Sequence, residues 1–205
     1  MTAHVSSPDG MGNRTPVKAL GYASYANVGT FTVTPPSGTK YVRGLLRGGS
    51  GGGGGFQLAL SGGQGGGGGQ GATWRFFVAQ TGPFSVTVGD GGAPGSNGTG
   101  AACTSGSDGV PTTCLGKTAN AGQGGTHADQ FGNVGGGSGG GSGVDGNDNT
   151  SGLGYGNFNG NPGSSLWLGG AGTQAGPGSG GGGAGNSSSF AQKGGKGWAN
   201  FEFFG

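Results

Sequence analysis

The sequence predicts an all-β, partly irregular fold: a small antiparallel β-sheet clamping a bundle of polyglycine-II helices, with essentially no α-helix. Three observations point there. Glycine supplies 62 of 205 residues and comes in blocks such as Gly51–Gly55, Gly65–Gly69 and Gly180–Gly183. Segments that alternate polar and apolar residues flank those blocks, with the period of a half-buried strand. No segment carries the apolar spacing of a helix.

The glycine content demands an account first. With nine prolines, glycine and proline exceed the roughly 25–30% at which non-periodic composition reads as disordered. Yet only 8% of residues are charged and the formal net charge is +2, whereas disordered chains usually stay open through charge. Collagen requires glycine at every third position and abundant proline. Blocks of glycine and scarce proline exclude it. What remains is extended backbone with three residues per turn, packed side by side. Such helices have no internal hydrogen bonds, so their N–H and C=O groups must find partners in neighbouring segments. Those segments approach closely only where the facing positions carry hydrogen. Residues Gly62–Gly71 would make a rod of about 31 Å.

Glycine alone does not stabilise such a bundle. Ordering costs roughly 1–2 kcal/mol per residue, most of all for glycine, and a hydrogen bond returns about 0.5–1.5 kcal/mol net. An apolar clamp is needed, and both ends of the sequence contain one. Thr30–Thr34 alternates, Pro35-Pro36-Ser37-Gly38 signals a turn, and Lys40–Arg47 reads as the returning strand. Thr73–Ala79, a turn at Gln80-Thr81-Gly82 and Pro83–Val88 repeat the pattern. Trp198–Phe204 places Ala199, Phe201 and Phe203 on one face. These are five strands, with glycine-rich excursions after Arg47 and after Val88. The organisation expected is an N-terminal arm over 1–27 and one glycine-rich domain over 28–205.

The order of these elements resembles the glycine-rich domain of bacteriophage tail fibres and adhesins. The residues carrying the resemblance are Phe31-Thr32-Val33, Gly48–Gly55, Ser85–Ala93 and Trp198–Phe204, and it covers about Val28–Gly205. The adhesins at the tips of T-even long tail fibres are similar, with polyglycine-II bundles presenting variable loops to host receptors. The chain departs from that pattern in an interrupted first glycine block and an insert with two cysteines. The resemblance implies a tail-fibre or adhesin-tip protein of the virion, exposed on the tail and made in the host cytoplasm. It implies non-enzymatic binding of a bacterial surface receptor, either a polysaccharide or an outer-membrane protein. Other tail-fibre or baseplate proteins are the expected neighbours, with the chain a homotrimer or the cap of a trimeric fibre. Two rivals stand beside this reading: a structural virion spacer that touches no receptor, and an ice-binding polyglycine bundle. The latter wants a flat, repetitive threonine/alanine face, which the sequence does not clearly offer.

Receptor contact falls to side chains between the glycine blocks, because binding residues concentrate on loops held by a rigid scaffold. Phe56 and Leu58 interrupt two blocks. Tyr155, Phe158, Leu166 and Trp167 lie in a segment rich in Gly, Asn and Ser, and His127 precedes Phe131 in another. Aromatic residues flanked by Asn and Ser suit adaptable binding loops. Against this stands the plainer role of plugging the bundle ends or packing at a subunit interface, which the alternation of Phe56, Leu58 and Leu60 favours.

Cys103 and Cys114 read equally as a disulfide closing a short loop, worth about 3 kcal/mol if unstrained, or as two free thiols. Two ligands do not make a zinc site, and neither a cofactor nor a metal is expected. Gly48-Gly49-Ser50-Gly51-Gly52 fits G-x-S-x-G, but a nucleophile elbow must precede a helix. Gly116-Lys117-Thr118 resembles the end of a P-loop without its first glycine. Asp145–Asn149 lacks the glycine and glutamate of a calcium loop. The +2 charge leaves no footprint for nucleic acid. No run approaches the roughly 18 apolar residues of a membrane span, and Met1–Asn27 lacks the charged and apolar regions of a signal peptide.

Overall fold

The computed structural model describes residues 17–55, 68, 71–98, 103–127 and 191–205. Among them are eight strands and no helix: β1 (Ala19–Tyr25), β2 (Gly29–Val33), β3 (Tyr41–Arg47), β4 (Thr73–Ala79), β5 (Phe84–Val88), β6 (Thr112–Cys114), β7 (Lys117–Ala119) and β8 (Trp198–Phe204). The five expected strands are present. Ala19–Tyr25, within the stretch read as an arm, is an edge strand paired with β8.

The strands form two antiparallel sheets, ordered β1-β8-β3-β4 and β2-β5-β6-β7, rather than one. Neither expected hairpin forms. β2 pairs with β5, while β3 lies between β8 and β4. The reason lies in the connections and in the apolar faces. Pro35 and Pro36 lack N–H donors and cannot extend a ladder. The Pro36 carbonyl accepts from the Thr39 amide at 3.2 Å and its hydroxyl at 2.7 Å, turning the chain onto the other layer. Each strand also has one apolar face to bury. Stacking two sheets buries both faces at once, which a single sheet does not.

In the sandwich β8 faces β5, β3 faces β6 and β4 faces β7. Val42, Leu46, Trp74, Phe76 and Phe201 from one sheet meet Val33, Phe84, Val86 and Val88 from the other. Phe201 is central, edge-on to Phe84 at 5.2 Å and tilted to Phe76 at 6.4 Å. Each such side chain contributes about 1.5–3 kcal/mol on burial. β6 and β7 are joined by Leu115 and Gly116, both at positive φ (49° and 69°), as a two-residue type I′ turn requires.

Six strands continue into extended glycine-rich segments. β3 runs into 48–55, β5 into 89–97 and β7 into 120–127, while 71–72, 103–111 and 191–197 lead into β4, β6 and β8. Their hydrogen bonds recur every third residue. The amides of Gly49, Gly52 and Gly55 donate to the carbonyls of Val110, Ser107 and Thr104. Those of Ser50 and Gly53 donate to Gly195 and Gln192, and Gly92 and Gly95 donate to Ser50 and Gly53. Gly122 and Gly125 donate to Gly49 and Gly52. Segment 48–55 is therefore the hub, bonded to its neighbours in several directions. This three-residue recurrence differs from the two-residue alternation of the sheets.

Close approach requires glycine here. A Cβ on Gly52 would lie 2.0 Å from the Ala93 carbonyl oxygen, and one on Gly51 1.8 Å from that of Gln123. Ser50 is the non-glycine in this run. It is fully buried, and its Oγ accepts from the Gly71 amide at 3.1 Å.

Candidate functional site

The bundle gives the molecule two unlike ends. At the sheet end the Gly205 amide donates to the Lys18 carbonyl at 2.9 Å, and Lys40 donates to Phe204 at 2.7 Å. Both outer limits of the described chain therefore sit there. At the opposite end the Gly55 amide donates to Thr104 at 3.0 Å, and Thr104 donates to Ser96 at 3.1 Å. Gly53 donates to Gln192 at 2.9 Å beside them. Residues 53–55, 96, 104 and 192 are thus gathered at the end away from the sheets. From the base of β3 to Gly55, seven strand residues and eight glycine-rich ones span about 48 Å at strand and threefold-helix rises.

Of the residues expected to touch a receptor, His127 is described, and it stands at this end. Its ring Nδ1 is 2.9 Å from the Ser105 hydroxyl, and its amide donates to the same oxygen at 3.1 Å. Phe56, Leu58, Phe131, Tyr155, Phe158, Leu166 and Trp167 lie outside the described residues, as does Asp145–Asn149.

Both cysteines are buried thiols outside any disulfide. The residues between them run out as an extended segment, with Thr104 beside Gly55 and Val110 beside Gly49. Cys103 consequently opens that segment, and Cys114 sits past its other end in β6. A disulfide needs Cα atoms within about 7 Å, and this arrangement keeps them apart. Burial pushes the Cys114 thiol up to about 12, so it stays protonated and unreactive near neutrality.

Ser50 has its hydroxyl committed to the bundle interior. Gly116-Lys117-Thr118 belongs to the β6–β7 hairpin. Among the described residues no group of three or more His, Cys, Asp or Glu is placed to hold a metal ion. No helix among them is long and apolar enough to cross a membrane. Asp90 links segment 89–97 to segment 191–197 through Lys193 at 2.6 Å. That bond, and the Gly91 amide at 2.8 Å, hold its carboxyl below the usual range.

A family model described as a glycine-rich domain matches residues 25–205, the span of β2–β8 and all six glycine-rich segments. The chain belongs to the glycine-rich domain family. No curated protein matches it. Within this glycine-rich domain, sequence reasoning missed a second surface: the outer face of the sheet β1-β8-β3-β4. Arg43, Arg75 and Phe77 were legible as strand residues. Their convergence with Tyr22 and Glu202 needed the strand order and register, which alternation does not encode.

Proposed function

We propose that this glycine-rich domain is a phage tail-fibre or adhesin-tip protein that binds a bacterial surface receptor without catalysing a reaction. One observation carries the reading. The glycine-rich segments carry the strands away from the sheets, and His127, a residue expected to touch a receptor, stands at the end opposite residues 17–18 and 205. A close-packed glycine scaffold that sets His127 far from a sandwich at its base has the polarity an attachment protein needs. The six glycine-rich segments are proposed to be polyglycine-II helices. Their three-residue recurrence of hydrogen bonds supports this, being the turn of that helix type.

In this proposal the tip selects a polysaccharide or an outer-membrane protein on the host. The sheet end joins fibre or baseplate proteins of the virion tail. The test is adsorption of the fluorescently labelled protein to a panel of bacterial strains, with Tyr155→Ala, Phe158→Ala and Trp167→Ala variants checked for folding. Strain-selective binding lost in a folded variant is expected. A folded protein that adsorbs to no strain would replace the proposal with a spacer role in the virion.

A further inference from the structure

The concavity of about 540 Å³ outside the sheet β1-β8-β3-β4 has Arg43 paired with Glu202 and Ser24 donating to Asn200. The outer layer of the glycine bundle is held in another way. There segment 103–111 lies between segments 89–97 and 120–127. It carries two triplets, Thr104-Ser105-Gly106 and Ser107-Asp108-Gly109. Each supplies a hydroxyl to one neighbour, a side-chain acceptor to the other, and a glycine.

Toward segment 89–97 the contacts are reciprocal. The Ser107 amide donates to the Ala93 carbonyl at 2.9 Å, and the Ala93 amide donates back to Ser107 Oγ at 2.7 Å. Thr104 and Ser96 repeat this three residues on, at 3.1 and 2.8 Å. Toward segment 120–127 the Gly124 amide donates to Asp108 Oδ1 at 2.8 Å, and the His127 amide to Ser105 Oγ at 3.1 Å. Gly106 and Gly109 complete that seam by donating to the Gly125 and Gly122 carbonyls. The carbonyls of Thr104 and Ser107 are taken by the hub amides of Gly55 and Gly52. Side chains therefore supply the acceptors that the outer amides require.

The sheets set the alignment of both seams. The β5–β6 pairs Val86–Cys114 and Thr87–Thr113 continue without offset as Asp90–Val110, Ala93–Ser107 and Ser96–Thr104. The β6–β7 pair Thr112–Ala119 continues likewise as Gly109–Gly122 and Gly106–Gly125. Glycine-rich chain is prone to slip, because it has no side chains to specify a register. The triplets do specify one, and the sequence bounds them on both sides. A slip of one turn, about 9 Å, brings either Ala101-Ala102 or Val110-Pro111 into acceptor positions. Either way one amide on each seam loses its partner.

We infer that segment 103–111 is a clasp. Its two triplets carry the alignment set in the sheets to the far end of the bundle and hold His127 there, whose ring Nδ1 also meets the Ser105 hydroxyl at 2.9 Å. The clasp stands on the scaffold alone and does not depend on receptor binding.

The test is amide hydrogen exchange of the full chain, read residue by residue by NMR, in the parent and in Ser107→Ala, Asp108→Ala and Asp108→Asn. Both side chains are exposed, and a thermal melt confirms folding. Expected is slow exchange at Ala93, Ser96, Gly124 and His127 in the parent. Ser107→Ala should speed exchange at Ala93 about five- to tenfold and leave Gly124 unchanged. Asp108→Ala should do the reverse, while Asp108→Asn, which keeps an acceptor oxygen, should stay near the parent. Fast exchange at all four amides in the parent would overturn the clasp. So would alanine variants that change neither amide, or that speed both alike. Asp108→Asn exchanging as fast as Asp108→Ala would overturn it in favour of an effect of charge. Should one alanine variant fail to fold, the other and the parent pattern decide.

Discussion

Gly44 in β3 lies directly beneath the ring of Phe76, its cross-strand partner in β4: a Cβ at position 44 would stand 2.1 Å from Phe76 Cζ. The glycine leaves a hollow in the inner face of the sheet, and the aromatic ring fills it. Gly44→Ala therefore forces the ring out of the core and is expected to destabilise by about 1–3 kcal/mol. Phe76→Ala leaves a cavity and is expected to cost about 3–5 kcal/mol. In the double variant the new methyl enters the vacated space, so the two costs sum to more than the observed loss. Urea unfolding of the three variants measures this coupling. Strict additivity would show that the pair does not interact.

Position decides how much a glycine matters in this chain. Gly52→Ala drives a methyl to within 2.0 Å of the Ala93 carbonyl oxygen, and both sides are backbone. The expected loss exceeds about 4 kcal/mol, the range reserved for severe core disruption. Gly82, in the loop between β4 and β5, has nothing within 4 Å of its Cβ position. Gly82→Ala should be neutral or stabilise by up to about 1 kcal/mol, through the unfolded chain. Thermal melts of the two variants should diverge widely, and matching melts would refute the close packing of segments 48–55 and 89–97.

Cys114 makes stability fall in alkali. Its thiol ionises at about 12 when folded, against an ordinary value of 9.0. Between those values the unfolded chain gives up the proton while the folded one keeps it. The contribution is thus complete below pH 9 and declines as pH rises toward 12, by at most about 1.4 kcal/mol per pH unit. Cys114→Ala should be less stable than the parent at pH 7, with the difference narrowing above pH 9. In the native parent the thiol should resist a disulfide reagent at pH 8 and react once the chain is unfolded.

Asp90 gives the opposite sign in acid. Its carboxyl is held below 3.8, first by Lys193 and then by the Gly91 amide, so its contribution is present above pH 3.8 and lost as pH drops through the folded value. Both partners are well exposed (48% and 41%), and solvent screening keeps the contribution to about 0.2–1 kcal/mol. Asp90→Asn should lose that amount at pH 7 and match the parent once the pH lies below the folded value. Denaturant midpoints at the two pH values and in high salt, where the difference should shrink, check it.

The strands that alternate strongly were readable: Phe31, Val33, Val86 and Phe201 announce their faces without help. Ala19–Tyr25 was not, because Ala-Leu-Gly-Tyr-Ala-Ser-Tyr has no clear apolar face and becomes a strand through its pairing with β8. Three-residue strands such as Thr112–Cys114 are too short to show a period. Pairing was less legible still. The Pro35–Gly38 turn looks like a hairpin corner, yet Phe31 finds Val86 across 55 residues. Among glycines the difficulty is complete, since nothing in Gly52 distinguishes Ala93 from any other neighbour. Of the candidate site, His127 was named from the sequence, but its place at the end away from the sheets depends on its contacts with Ser105 and on the bonding of Gly55 to Thr104. The sheet concavity was invisible, because its residues come from four strands spread between Tyr22 and Glu202.

The central place of β3 and segment 48–55 has a consequence for the order of events during synthesis. Of the two strands beside β3, β8 comes far later in the sequence than β4, and Ser50 and Gly53 take their carbonyl partners from residues 195 and 192. The hub thus leaves the ribosome well over a hundred residues before residues 192 and 195 exist. Such long sequence separations make closure of the native contacts slow relative to local structure. Until then the hub has neither its sheet partner nor its full set of amide acceptors. This fold assembles around an early segment only after a much later one arrives, so removing residues 198–205 should abolish the structure as a whole and not merely trim it.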